Sequence, residues 1–227
     1  MRILIVSATE NEIAPLIKLL SVRNDLGGPL KICKYKNLDV DVLITGIAIV
    51  STAYYCAKTI NDSYDCAINL GIAGSFKKDI SIGTVVNVSG DRFSELGAEA
   101  GEEFLSMQEL NLDVEDIIEI FSVINNPVIT TLKRVKGITV NSVHGNHRSI
   151  EKVIRKFDPD VETMEGAAFL FACKKESIPC VQIRSISNYM EPRVMESKDV
   201  QFGRLHWNIP LAIKNLNEIA VQILDSF

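Results

Sequence analysis

Three polar side chains stand where a folded chain tends to carry its chemistry. Glu12 follows the first apolar run, Glu165 lies in "TMEGAA", and Asn188 ends the apolar stretch "PCVQIRSIS". Two carboxylates can act as a general base and as a stabiliser of positive charge, while an amide both donates and accepts hydrogen bonds. Alone, each has a simpler interpretation, because acids favour helix starts and asparagine favours turns. Together the three predict a site.

Glu165 is predicted to lie on a helix formed by "VETMEGAAFLFACKK". The apolar stripe of this helix consists of Met164, Ala167, Ala168, Phe171 and Ala172. Glu165 would border that buried face, where an unpaired carboxylate costs several kcal/mol. The alternative is that Glu165 only satisfies donors at the helix N-terminus. Glu162, one turn earlier, is expected to be solvated.

Strand-like and helix-like segments alternate along residues 1–227, which predicts a single α/β domain. We expect a three-layer α/β/α sandwich with a central, twisted mixed sheet. Helical spacing follows the first strand, two strands flank a turn at 37–39, and a second helix carries Val50 and Tyr54 on one face. A helix is predicted after Pro159. The last helix has Asn208 as its predicted N-cap and Pro210 in its first turn.

Composition narrows the classes of function. The net charge of −5 argues against nucleic acid as a partner, since that binding needs clustered Lys and Arg. Neither a G-x-G-x-x-G loop nor a Walker loop follows a strand, so we expect no cofactor. The five scattered cysteines predict buried thiols in a reducing compartment and no metal site. The first apolar run is too short for a signal peptide, and no run reaches the roughly 18 apolar residues of a membrane span, so a cytoplasmic protein is expected.

The segment 91–119 is strongly acidic, with Arg92 as its only base. We interpret it as a solvated excursion from the sheet. A lid over a site is the alternative.

Several motifs carry a family resemblance. After an N-terminal "ATENE", the order "LGIAG", "TMEGAA" and "RSISN" resembles the nucleoside phosphorylase and nucleosidase superfamily over nearly the whole chain. Within it, the sequence is similar to methylthioadenosine/S-adenosylhomocysteine nucleosidases, which end the later strand in Ser-Asp. Here that ending is Ser187-Asn188 followed by "YMEPR", which together with "GDRFSELGAE" resembles the futalosine hydrolases of menaquinone biosynthesis.

The resemblance implies a fold, an activity and residue roles. It implies a nucleoside phosphorylase-like sandwich that hydrolyses the N-glycosidic bond of futalosine and releases hypoxanthine. Glu12 would activate water, Glu165 would bind the ribose hydroxyls, and Asn188 would hold the purine. The implied substrate-binding residues are Ala73, Gly74, His144, Met164, Arg193 and Arg92. A homo-oligomer is also implied.

The amide at position 188 has its own chemical meaning. An aspartic acid could protonate purine N7 and accept from a 6-amino group. An amide cannot give that proton, but it can donate to N7 or O6 of a 6-oxopurine, which fits hypoxanthine. The residues therefore predict a 6-oxopurine nucleoside, in agreement with the resemblance.

Other activities stay open from sequence. Acids in "SATENE" would repel a phosphate co-substrate, yet Arg184 and Arg92 keep an inosine phosphorylase possible. A methylthioadenosine nucleosidase and a nucleoside-binding protein without turnover are further alternatives. The carboxylate of futalosine needs a cation, for which the candidates are Arg193, Arg92, His147 and Arg148. The long stretch 194–207 leaves the roles of His206 and Trp207 open.

Overall fold

The computed structural model describes residues 1–25, 27–122, 124–192 and 207–227. In chain order the elements are β1 (Arg2–Ser7), α1 (Glu10–Ile17), β2 (Ser21–Asp25), β3 (Leu30–Tyr35), β4 (Leu38–Ile44), α2 (Ile49–Thr59), β5 (Cys66–Ser75), β6 (Val85–Phe93), β7 (Gly97–Ala100), β8 (Glu103–Ser106), β9 (Ile117–Glu119), α3 (Pro127–Thr131), β10 (Lys133–Thr139), α4 (His147–Phe157), β11 (Val161–Thr163), α5 (Gly166–Lys175), β12 (Cys180–Tyr189) and α6 (Ile209–Asp225).

A mixed sheet forms the central layer. Its strand order is β11-β10-β6-β12-β5-β1-β4-β3-β2, with β9 beside β6. Apolar side chains of α1, α3 and α6 pack on one side of the sheet, and those of α2 and α5 pack on the other. The expected α/β/α sandwich with a mixed sheet is thereby confirmed.

Strand β11 closes part of the sheet on itself. It pairs in parallel with β10 and antiparallel with β5, so that β5, β12, β6, β10 and β11 form a ring. In this ring Gly74 on β5 is in register with Glu162 on one side and with Asn188 on the other. The ring therefore brings two polar residues that are distant in sequence to one end of the same strand.

The region around Glu165 differs from the predicted helix. Residues 161–163 form β11, and α5 begins only at Gly166. The helical spacing predicted the later part of the segment correctly. Its start is wrong because Val161 and Glu162 pair with Ser75 and Gly74 across the ring, and local periodicity does not register such a long-range pairing.

The C-terminal helix begins as predicted. The Asn208 side chain accepts a hydrogen bond from Leu211 N at 3.1 Å, and Pro210 lies in the first turn of α6. All five cysteines are buried free thiols. Among the described residues, no helix combines the length and the apolar character needed to cross a bilayer.

The acidic excursion contains the β7–β8 hairpin, which lies against α4. Arg148 and Lys152 form ion pairs with Glu102, and Arg155 pairs with Glu103 at 3.0 Å. These pairs connect the segment to the basic face of α4, and because they are exposed to solvent each contributes little to stability.

Candidate active site

A cavity of about 600 Å³ opens at the ends of β1, β5 and β12 and beside the junction of β11 with α5. This volume is in the range of small-ligand sites, which is roughly 300–1,000 Å³. Its lining includes these predicted site residues: Glu12, Ala73, Gly74, Met164, Glu165 and Asn188. Its apolar walls include Ile47, Ile72, Val143, Trp207, Ile209 and Ile213. The cavity thus joins two carboxylates, an amide and an apolar surface.

Glu12 is held at the start of α1 by a capping box. Its Oε2 accepts hydrogen bonds from Thr9 N at 3.0 Å and from Thr9 Oγ1 at 2.9 Å. Its Oε1 accepts from Ile72 N, on the neighbouring strand β5, at 3.2 Å. A T-x-x-E sequence forms such a box because the glutamate reaches back to the N-cap residue. Here the box also fixes a carboxylate at the cavity wall.

Glu165 occupies the N-cap position of α5, yet its side chain makes no capping bond. Its Oε1 instead accepts from Ala48 N, at the start of α2, at 3.2 Å. Ala48 has a φ of 82°, an unfavourable conformation for a residue with a Cβ, which turns this N–H toward the carboxylate. The simpler interpretation, in which Glu165 satisfies its own helix, therefore does not describe this side chain.

Arg184 lies fully buried beneath both carboxylates. Its Nη2 donates to Asn69 Oδ1 at 2.5 Å and stands 3.9 Å from Glu165 Oε2. Its Nη1 is buried and has no hydrogen-bond partner among the described residues. From the sequence, Arg184 is predicted only as a possible phosphate ligand. An arginine inside an apolar strand was the signal that marks it as part of the site.

The charges around Glu165 act in opposite directions. Burial raises the pKa of Glu165 above its ordinary value, the Arg184 guanidinium opposes this rise, and the Glu12 carboxylate adds to it. The two carboxylates line the cavity and the guanidinium lies buried beside them, so the net negative charge of the three groups can stabilise a cation in the cavity.

A buried network of polar side chains holds the Arg184 guanidinium in place. Arg184 Nε donates to Gln182 Oε1 at 3.0 Å, and Gln182 Nε2 donates to Asp91 Oδ2 at 3.0 Å. The other oxygen of Asp91 accepts from Thr139 Oγ1 at 2.9 Å, and Thr139 Oγ1 accepts from Ala167 N at 2.8 Å. Burial raises the pKa of Asp91 to about 6. One chain of hydrogen bonds therefore connects the guanidinium with the first turn of α5.

Asn188 is oriented by the residue before it. Ser187 Oγ donates to Asn188 Oδ1 at 2.8 Å, and Asn188 Nδ2 donates to Tyr189 O at 3.1 Å. A Cβ on Gly74 would lie 2.4 Å from Met190 Sδ and 3.1 Å from Asn188 Nδ2. A side chain at position 74 would therefore displace Met190 and crowd the Asn188 amide. The oxygen of that amide is occupied by Ser187, and its NH2 group is the donor.

Glu162 is not solvated, contrary to the sequence-based expectation. It lies on β11, is only 3% exposed and lines the cavity. It accepts from His144 N at 3.0 Å and is in close contact with His144 Nδ1. Burial in the ring explains the difference, since a partner replaces the lost water. His144, predicted to bind substrate, does not line the cavity itself, but it contacts the lining residue Glu162.

The cationic candidates that the structure describes, Arg92, His147 and Arg148, do not line the cavity. Arg92 Nη1 donates to Asp116 Oδ2 at 2.9 Å, and its guanidinium stacks on the Phe157 ring. His147 and Arg148 pair with Glu151 and Glu102 on the surface of α4. Arg193 and His206 lie outside the described residues. Within the described part of the chain, neither the acidic segment 91–119 nor any lysine or arginine lines the cavity.

Known proteins resemble this chain in sequence and in fold. The futalosine hydrolase of Streptomyces coelicolor is 24% identical over 186 residues, which cover 78% of this chain and 75% of that relative. The futalosine hydrolase of Thermus thermophilus is 27% identical over 190 residues, with 80% of each chain covered. These relatives agree with the expectation of an enzyme of the nucleosidase type.

A solved structure shows the same fold. The 5′-methylthioadenosine/S-adenosylhomocysteine nucleosidase of Helicobacter pylori, solved with a pyrrolo[3,2-d]pyrimidine ligand, superposes with a TM-score of 0.80. It is 20% identical and covers 100% of this chain and 99% of its own. The family model described as Phosphorylase superfamily matches residues 2–225, which include every element that forms the cavity. The resemblance inferred from sequence is therefore confirmed, and this chain belongs to the Phosphorylase superfamily.

Proposed function

We propose that this protein hydrolyses the N-glycosidic bond of futalosine, a 6-oxopurine nucleoside, and so releases hypoxanthine and dehypoxanthine futalosine in menaquinone biosynthesis. The observation that carries the proposal is the cavity in which Glu12, Glu165 and Asn188 meet. The names of the two sequence relatives support the choice of futalosine. The five buried free thiols support a cytoplasmic location, because thiols stay reduced in that compartment.

Cleavage of the bond builds positive charge on the ribose and negative charge on the purine. Glu165 accepts hydrogen bonds from the ribose hydroxyls and stabilises the sugar cation more than the neutral substrate, as catalysis requires. The electron pair of the breaking C1′–N9 bond moves to the purine, which takes up a proton from solvent as hypoxanthine leaves, while Glu12 returns its proton to solvent. Met164 packs against the sugar, and Ala73 and Gly74 approach the nucleoside with their backbone.

Glu12 is the proposed base for water. The water oxygen bonds to C1′ while a water proton passes to the Glu12 carboxylate, which Thr9 and Ile72 hold in place. The nearby Arg184 Nη1 is a buried donor with no partner among the described residues, and it lies beside Glu12 Oε1, so it suits the Glu12 carboxylate. Arg184 is thereby a third charged group in the reaction.

Asn188 is proposed to recognise the purine of the substrate. Its oxygen accepts from Ser187 Oγ, and one N–H of its NH2 group donates to Tyr189 O. The other N–H, which makes only a weak contact with Met190 Sδ, is proposed to donate to N7 or O6 of hypoxanthine. Adenine carries its own NH2 group at position 6 and offers fewer acceptors. Hydrolysis is favoured over phosphorolysis because the described lining of the cavity contains three carboxylates, Glu12, Glu162 and Glu165, and no basic side chain. Arg193 stays the proposed ligand of the substrate carboxylate.

A substrate panel tests the proposal. The purified protein is incubated with futalosine, inosine and methylthioadenosine, with and without phosphate, and released bases are separated by chromatography. We expect hypoxanthine from futalosine at the same rate with and without phosphate. A requirement for phosphate, or preferred release of adenine from methylthioadenosine, would contradict it.

A pair of variants tests the proposed role of Glu12 as the general base. Glu12→Gln should lower kcat on the order of 100-fold or more while futalosine still binds. Glu10→Gln is the matched control, since this neighbouring acid has a side chain that is 57% exposed and should leave kcat unchanged.

A further inference from the structure

Helix α1 lacks a normal hydrogen bond directly below the proposed base. In a regular helix Leu16 N would donate to Glu12 O, four residues earlier. Here Leu16 N donates to Asn217 Oδ1 at 3.0 Å, and Asn217 Nδ2 donates to Glu12 O at 2.8 Å. The amide of Asn217, from the last helix, is thus inserted between the two groups.

Pro15 explains why the helix opens there. Proline lacks an N–H and its ring crowds the carbonyl four residues earlier, so it kinks a helix. Ile13, two residues before it, has non-helical angles of φ −122° and ψ 15°. The kink separates Glu12 O from Leu16 N, and both groups would lose hydrogen bonds in a region with little water. An asparagine side chain can satisfy one acceptor and one donor at once.

Asn217 is rigidly held on its own helix. It is 4% exposed, and its Nδ2 also donates to Ile213 O at 2.7 Å. Ile213 and Ile209, on the preceding turns of α6, line the cavity. Asn208 N, at the start of α6, donates to Ser187 O at 2.8 Å. The same helix therefore contacts the cavity wall, the residue that orients Asn188, and the backbone of Glu12.

We infer that Asn217 is a positioning residue for Glu12, and this inference rests on the proposed function in which Glu12 activates water. The Asn217 amide fixes the kink of α1 and with it the point from which the Glu12 side chain starts. The Thr9 and Ile72 donors then fix the end of that side chain. Ile209 and Ile213 lie on the same helix as Asn217 and line the cavity. A ligand that contacts them can therefore affect the position of Glu12, the proposed general base.

The test compares two asparagines of α6. Asn217→Ala removes the inserted amide, whereas Asn215→Ala removes a different α6 amide bond, from Asn215 Nδ2 to Gly83 O at 2.7 Å. Displacement of a catalytic group by about 1 Å can cost on the order of 100-fold in rate. We expect Asn217→Ala to lower kcat by about 10- to 100-fold, with KM and hypoxanthine affinity within about twofold of wild type. Asn215→Ala should keep wild-type kcat.

Two double variants distinguish a role of Asn217 in positioning Glu12 from a role only in stabilising the fold. In a Glu12→Gln background, Asn217→Ala should cost no additional rate, because its effect passes through the Glu12 carboxylate. In the double variant Pro15→Ala/Asn217→Ala, helix α1 can close its own hydrogen bond, so thermal stability should recover while kcat stays low.

Three results would overturn the inference: unchanged kcat in Asn217→Ala, an equal loss in the Glu12→Gln background, or recovery of kcat together with stability in the double variant. These differ from failure of the proposed function, in which the wild-type protein itself would release no base from futalosine.

Discussion

Gly71 and Arg184 face each other in register across β5 and β12. A Cβ on Gly71 would lie 1.8 Å from Arg184 Nη1 and 3.2 Å from Glu12 Oε1. The guanidinium therefore occupies the space that a side chain would fill, directly beside the proposed base. A buried arginine fits this strand only because its neighbour has no side chain.

Gly71→Ala should displace Arg184 and lower both stability and activity. Overpacking of this kind costs about 1–3 kcal/mol, and a displaced charge beside Glu12 should reduce kcat by at least about 10-fold. Urea unfolding and kcat with futalosine measure the two effects. Gly28→Ala is the control, since no atom of the residues that the structure describes lies within 4 Å of its added Cβ. Wild-type activity in Gly71→Ala would contradict the assignment of Arg184 to the site.

Arg184→Met should move the acid limb of the pH–rate profile to higher pH. Burial raises the pKa of Glu165, and Arg184 opposes that rise. Glu165 must be ionised to stabilise the sugar cation, so activity is present above its pKa and is lost as pH falls through it. Without the guanidinium this loss should begin at a higher pH. An acid limb of kcat/KM at the same pH in both proteins would show that Glu165 does not set it.

Asn188→Asp should shift base preference from 6-oxopurines toward 6-aminopurines. The new carboxyl group can protonate N7 and accept from a 6-amino group, while it loses the NH2 donor for O6. Inosine and adenosine differ only in the base, so the ratio of their kcat/KM values isolates this effect. We expect a change of about 10- to 100-fold, the value of one or two satisfied buried groups. Asn11→Asp, which adds a carboxylate elsewhere on the cavity lining, should leave the ratio unchanged.

Asp91→Asn should remove a pH dependence of stability. Burial raises the pKa of Asp91 from 3.8 to about 6, so its protonated form favours the folded state. That contribution is complete below pH 3.8 and is lost as pH rises to about 6, a change of about 3 kcal/mol. Urea unfolding at about pH 4 and about pH 7.5 should show wild type losing stability relative to the variant by this order. An equal pH dependence in both would mean that Asp91 does not titrate in this window.

The sequence predicted the elements better than the contacts between them. Alternating strands and helices predicted the sandwich, and Asn208 and Pro210 predicted the start of α6, because these signals are local. The start of α5 was wrong because β11 is three residues long and pairs with β5, far away in sequence. The spacing places Val50 and Tyr54 on one face of a helix, and the structure exposes both side chains, which the spacing alone does not predict.

The residues of the candidate site were likewise predictable from sequence only where their signals are local. Glu12, Glu165 and Asn188 stood out because polar residues beside apolar runs are visible in a sequence. Asn217 did not stand out as a site residue, and Arg184 stood out only as a possible phosphate ligand, because the roles of both depend on residues distant in sequence. The partner of Asn217 lies 201 residues away, and no local pattern contains that contact.

An exposed apolar strip at α2 predicts a second copy of the chain as its partner. Ile47, Val50 and Tyr54 are 55%, 77% and 55% exposed, although apolar. Ile47 also lines the cavity, so a copy docked on this strip would complete the cavity wall. Val50→Glu should convert a homo-oligomer to monomer in light scattering and lower kcat/KM for futalosine. Leu112→Glu, at another exposed apolar residue, should change neither, whereas a wild-type protein that is monomeric and fully active would rule out this role for the strip.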